Sequence, residues 1–88
     1  MRDDMMKKKY IFNAVFSYDN DGISISYPDL SGCISCGFTQ DEALQMAREA
    51  LILYLEDMDE NEISIASDIS TIEIDEKNQK IFTITVEI

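Results

Sequence analysis

The groups able to do chemistry in this sequence are carboxylates and two cysteines, because histidine is absent altogether. Without an imidazole the chain lacks the commonest acid–base group near neutral pH, and Ser-His-Asp and Cys-His arrangements are ruled out. Asp19, Asp21 and Asp29 each sit at a bend, where carboxylates can in principle hold a hard cation such as Mg²⁺. Their spacing matches no EF-hand loop, and turn capping explains each of them. Cys33 and Cys36 spell a C-x-x-C pair. A zinc site would need further ligands and finds only carboxylates, and thiol redox chemistry wants such a pair at a helix N-terminus. Here the helix begins after Gly37 and strand alternation sends the two side chains to opposite faces, so ordinary thiols are expected. The three glycines, at positions 22, 32 and 37, serve bends rather than a phosphate-binding loop. Neither a catalytic metal nor a cofactor is expected, and the chain reads as a binding protein rather than an enzyme.

Charge narrows the kind of partner. Eighteen acidic residues face seven basic ones, for a formal net charge of -11. Four of the basic residues lie at the start (Arg2, Lys7, Lys8 and Lys9). Between Tyr10 and Glu76 Arg48 stands alone against fifteen acidic residues, so that stretch carries about -14. A phosphate backbone is repelled by such a surface, and no direct contact with nucleic acid is expected. A basic protein is attracted to it and steered in. Tyr10, Phe12, Phe16, Tyr18 and Tyr27 have the rings to stack on bases, but without a basic groove they fit a packed sheet face or a protein interface better. No run approaches the roughly 20 apolar residues needed to span a bilayer, and no apolar segment follows the basic N-terminus as in a secretory signal. A cytoplasmic location with no membrane association is the expectation.

These residues must be carried by a small fold. The 88 residues suit one domain over 1–88, and apolar residues at 45% exceed what a disordered tail contains. Residues 1–8 are polar and methionine-rich, and are expected to be flexible. Tyr10, Phe12, Ala14, Phe16 and Tyr18 alternate with Ile11, Asn13, Val15 and Ser17, a period of two. Asp19-Asn20-Asp21-Gly22 then supplies a tight turn with Gly22 at positive φ, and Ile23, Ile25 and Tyr27 alternate with serines in a second strand. Pro28 ends that strand because it has no N–H to donate. The Pro28-to-Gly32 turn leads into a short third strand over Cys33–Phe38, completing an antiparallel meander. Thr39 and Glu42 form a capping box for one helix, whose Ala43, Ala47, Ala50 and Tyr54 recur at helical spacing beside Leu44, Leu51, Leu55 and Met58. Phe12, Phe16, Ile25, Ala43, Ala47, Leu51 and Tyr54 are assigned to the core. Residues 63–76 read as a loop with room for one short strand, and Phe82, Ile84, Val86 and Ile88 mark a final strand.

The expected fold is therefore α+β with element order β-β-β-α-β. One helix covers one sheet face, and the last strand lies beside the first and parallel to it. A C-terminal hairpin pairing residues 69–75 with 80–88 is the alternative. The uncovered face, with Ile11, Asn13, Val15, Ser24 and Ser26, is mixed in polarity and compatible with a partner surface.

The stretch from Tyr10 to Glu56 resembles the HicB-like antitoxin domain. The resemblance is carried by the strand with Phe16, by Asp21-Gly22-Ile23-Ser24-Ile25-Ser26, and by Tyr27-Pro28-Asp29-Leu30-Ser31-Gly32-Cys33. It continues through Gly37, Thr39 and the helix Asp41-Glu42-Ala43, Ala47, Glu49-Ala50-Leu51 and Tyr54-Leu55. It implies a fold like a truncated ribonuclease H without that enzyme's catalytic carboxylates. It also implies a role in neutralising a small basic HicA-like toxin, an RNA-cleaving protein, in a bacterial toxin–antitoxin pair. Members of the family often form dimers or higher oligomers, and many add a C-terminal DNA-binding segment. This sequence stops at Ile88, straight after its last strand, so operator contact of that kind is not expected. The residues put forward for partner binding are Asp19, Asp21, Pro28, Asp29, Leu30 and Gly32, with turn geometry alone as the competing explanation for each. Two other functions stay open at this point: a homo-oligomeric accessory protein with no toxin, and a metal-dependent hydrolase.

Overall fold

The first two strands form because alternation lets one face of each be apolar while a turn of small polar residues reverses the chain. In the computed structural model, which describes residues 8–59, 62–63 and 66–88, β1 (Lys9–Asp19) and β2 (Gly22–Ser26) pair antiparallel across Asn20 and Asp21. Gly22 takes φ +139 at the turn, a conformation that side chains with a Cβ rarely adopt. β3 (Ile34–Gly37) returns against β2, again antiparallel. It is two residues shorter than the expected Cys33–Phe38.

Thr39 then caps α1 (Gln40–Glu56), its side-chain oxygen accepting from the Glu42 N–H at 3.1 Å. The Glu42 carboxylate reaches back one residue beyond the cap and accepts from the Phe38 N–H at 2.6 Å. Ala43, Ala47, Leu51 and Leu55, four residues apart, are the buried stripe of the helix. They pack on Phe12, Ala14 and Phe16 of β1, Ile23 and Ile25 of β2, and Ile84 and Val86 of the last strand. Burying each large apolar side chain contributes roughly 1.5–3 kcal/mol, so this single layer supplies most of the driving force. Small residues let the helix come close. A Cβ built on Gly37 would stand 2.7 Å from the Ala43 nitrogen. Tyr54, assigned to the core from its spacing, is only half-buried; its hydroxyl donates to the Ser31 carbonyl at 2.8 Å on the rim.

The last strand, β4 (Gln79–Glu87), completes the order β3-β2-β1-β4. It lies beside β1 as expected, but antiparallel rather than parallel, with Lys9 opposite Glu87 and Ser17 opposite Gln79. The reason is the path of the chain after the helix. α1 runs from the hairpin tip, where the Tyr18 hydroxyl donates to Gln40 Oε1 at 2.6 Å, to the other end, where Leu55 and Met58 lie near Lys8 and Ile88. The connection then climbs back along the sheet to the tip, where the Tyr18 N–H donates to the Asn78 carbonyl at 2.8 Å, before β4 descends. Residues 69–75 form no hairpin with β4. Ile69–Thr71 is a short 3-10 helix capped by Asp68.

That connection covers the middle of the second sheet face. Asn13 Nδ2 donates to the Ser67 carbonyl at 3.1 Å and Thr83 Oγ1 donates to Asn13 Oδ1 at 2.8 Å. Asn13 and Val15 are consequently buried at 8% and 7% exposure, so the middle of this face is occupied by the chain itself. At the start of β1, Lys8 and Ile88 exchange backbone hydrogen bonds of 2.9 and 3.0 Å. Residues 1–7 lie outside the described residues, as does Ile65 of the short strand allowed between 63 and 76. Among the described residues of that range there is no strand.

Candidate partner-binding site

The six residues put forward for partner binding do not form one site. They fall into two groups at opposite ends of β2, which at five residues is about 17 Å long.

The first group follows β2. Tyr27 ends the strand's buried face, and its hydroxyl donates to the Ala47 carbonyl at 2.6 Å. Burial pushes that phenol well above its ordinary value of 10.0. Pro28 is exposed, as the absence of an N–H allows at the end of a ladder. Asp29 is half-buried, and each of its carboxylate oxygens accepts one hydrogen bond. It accepts from the Ser67 N–H at 2.8 Å and from the Ser67 hydroxyl at 2.5 Å, pinning the returning connection to the turn. Leu30 is 4% exposed and belongs to the core, held by a turn in which its N–H donates to the Tyr27 carbonyl at 3.0 Å. Gly32 takes φ +85 and stands clear of neighbours. Its glycine is required by backbone conformation. Next to it, the Cys33 thiol is buried against the Ala50 carbonyl at 3.7 Å and burial raises its pKa. Cys36 is exposed on the opposite face, and the two remain free thiols. Of the four residues put forward in this group, Asp29, Leu30 and Gly32 thus hold the turn together, and Pro28 alone has an exposed side chain with no role in it.

The second group is the hairpin tip. Asp19 and Asp21 are both exposed, and neither carboxylate makes a hydrogen bond or ion pair within the described residues. Between them and the start of α1 stands Phe38, which is 81% exposed and the most exposed large apolar side chain among the described residues. Sequence reasoning placed Phe38 at the end of a strand and passed over it. It occupies the step between Gly37 and the capping Thr39, where the chain has left the sheet and alternation no longer decides burial. Two further exposed apolar residues were also missed, Ile34 (70%) and Leu53 (66%), which line a hollow with Cys33, Ala50 and Tyr54. Leu53 could have been found, since it falls about 200° around the helix from Leu51 of the buried stripe.

Among the described residues no group of three or more cysteines or carboxylates is placed to hold a metal ion. No helix among them is long and apolar enough to cross a membrane. The Asp68 carboxyl is held below its ordinary value by the Ser70 N–H, its 3-10 cap partner, and secondarily by the Ser70 hydroxyl.

Comparison with known proteins supplies the family. Residues 12–88 match the HicB-like antitoxin of bacterial toxin–antitoxin systems. The chain is 39% identical over 57 residues to a UPF0150 protein of Helicobacter pylori strain J99, which covers 65% of this chain and 79% of that protein. It is 38% identical over 69 residues to an uncharacterised 14.9 kDa protein from the rep-hol intergenic region of Haemophilus phage HP1. That match covers 76% of this chain but spans only 51% of the phage protein. Among solved structures, a chain of a HicA3 and HicB3 toxin–antitoxin complex superposes with a TM-score of 0.64 at 17% identity. The superposition covers 84% of this chain and 94% of that one and establishes a shared fold. With the strand order, the single covering helix and a match over residues 12–88, the chain belongs to the HicB-like antitoxin family, a non-catalytic module of bacterial toxin–antitoxin systems.

Proposed function

We propose that this domain neutralises a small, basic, RNA-cleaving toxin of the HicA type by binding it directly. The observation that carries the reading is the family match over residues 12–88, which spans the whole described sheet and helix except the start of β1. Charge supports it independently. A net charge of -11 attracts and orients a cationic nuclease before contact, raising the association rate, and a bound acidic domain competes with RNA for the same cationic surface. A cytoplasmic location fits a protein that meets an RNA-cleaving partner and keeps two unpaired thiols.

The test is affinity purification of the tagged chain from its native cells in moderate salt, with mass spectrometry of what stays bound. A stoichiometric small basic protein is expected. Recovery of the chain alone, from cells expressing its neighbouring genes, would overturn the reading.

A second copy of the chain is a further partner in this proposal. The observation favouring it is the hollow beside edge strand β3, where Ile34 and Leu53 expose apolar surface next to an unpaired strand edge. Light scattering on the purified chain tests it. A dimer or tetramer that Ile34→Glu converts to monomer is expected, and a monomer at every concentration would contradict it.

A further inference from the structure

We infer that Phe38 is the anchor with which the domain docks its basic partner, the ring taking an arginine side chain whose guanidinium also pairs with Asp19 and Asp21. The inference rests on the antitoxin reading and adds to it the surface and the chemistry that surface recognises.

Phe38 is exposed yet held in place. Its backbone N–H is tied to the Glu42 carboxylate at 2.6 Å, and the next residue opens the helix, with the Ala43 N–H donating to the Thr39 carbonyl at 2.8 Å. Gly37, immediately before it, packs so closely on α1 that an added Cβ would stand 2.8 Å from the Ala43 Cα. On the sheet side the ring lies across the bare backbone of Gly22, where a Cβ would come within 3.6 Å of Phe38 Cδ1. A ring with two side-chain torsions on a pinned backbone loses little freedom on binding, which is what makes aromatic residues effective anchors.

The surroundings specify the occupant by charge. Phe38 lines two hollows, and both are also lined by Asp19, Asp21, Gly22 and Ile23. The two carboxylates are exposed and unbonded within the described residues, and neither hollow is lined by a basic residue. Of the cations at this end of the sheet, Lys80 is occupied over the Tyr18 ring at 5.9 Å from the centroid, and Lys77, in the turn before β4, lines neither hollow. An aromatic face beside two unpaired carboxylates fits a planar cation. Arginine stacks on the ring through its flat guanidinium and donates in a fork to carboxylate oxygens, which lysine does less well. An acidic or purely apolar partner would leave both aspartates unpaired at the contact.

The experiment uses the full chain and the small basic protein recovered with it, with dissociation constants measured by calorimetry and folding verified by circular dichroism. Phe38→Ala is expected to weaken binding about thirtyfold or more, in the range of an interface hot spot. Phe38→Tyr keeps the ring and is expected to stay within about threefold, as is Ile69→Ala, an exposed apolar residue elsewhere. Asp19→Asn with Asp21→Asn is expected to slow association and flatten its salt dependence. Binding by Phe38→Ala within threefold of the unaltered chain would overturn the inference while leaving the antitoxin reading intact. Failure of the unaltered chain to bind the basic protein would overturn both.

Discussion

The two ends of β2 carry the same kinds of residue and use them differently. Beyond Ser26, Asp29 spends both carboxylate oxygens on Ser67, Leu30 is buried, and Tyr27 and Cys33 are bonded to carbonyls of the helix. At the hairpin tip, Asp19 and Asp21 have no bonded partner within the described residues and Phe38 is left in water. One end is committed to the fold, and the other leaves its side chains exposed and unbonded among the described residues. An acidic residue in a turn is therefore not evidence of binding until its oxygens are accounted for.

Substitutions that act on stability at one end and on association at the other test this contrast. The largest effect is expected at Leu30. Truncation to alanine leaves a cavity in the core and costs about 2–5 kcal/mol, read as a lower urea midpoint. A loss below about 0.5 kcal/mol would mean that the turn is a detachable surface loop.

Asp29→Ala comes next. It leaves Ser67 without its acceptor and loosens the connection over the second face, at a cost of about 1–2 kcal/mol because the site is partly solvated. Hydrogen exchange over residues 66–74 should accelerate in the variant, and unchanged exchange there would remove Asp29 from its latch role.

Tyr27→Phe is smaller, about 1 kcal/mol, and has a pH signature. The folded phenol holds its proton more tightly than the unfolded one. Tyr27's contribution is thus fully present below about pH 10 and is lost as the unfolded chain alone ionises above it, by about 1.4 kcal/mol per pH unit. The variant should show a shallower alkaline loss of stability than the parent. Equal slopes would show that Tyr27 ionises freely in the fold.

The smallest stability effect belongs to the tip. Asp19→Asn with Asp21→Asn should shift the urea midpoint by no more than about 0.5 kcal/mol in free-energy terms, since neither carboxylate holds anything in place. A loss above 1 kcal/mol would show that the tip, too, is committed to the fold.

How much of this was legible in the sequence follows from the range of the forces involved. The hairpin, the Thr39 cap and the burial of Ala43, Ala47 and Leu51 rest on local rules and stood in the sequence, whereas the fourth buried position of the stripe is Leu55 rather than Tyr54. Other features did not stand in the sequence. The direction of β4 depends on where the 22-residue connection from Asp57 to Asn78 travels, and no local pattern encodes that path. The Asp29–Ser67 and Asn13–Ser67 bonds join residues 38 and 54 positions apart, through serine and aspartate types that read as loop wherever they occur. Leu30 is put forward for partner binding because it sits in the Pro28-to-Gly32 turn, yet its side chain is buried in the core. Phe38 is placed by sequence at the end of the third strand, whereas the strand ends at Gly37 and the ring stands exposed beyond it.

The most direct test of the central claim is RNA cleavage by the purified basic partner, titrated with the purified chain. The account predicts that cleavage falls linearly and stops at a fixed stoichiometric ratio, with inhibition weakening as salt rises. Undiminished cleavage at a large excess of the folded chain would contradict it.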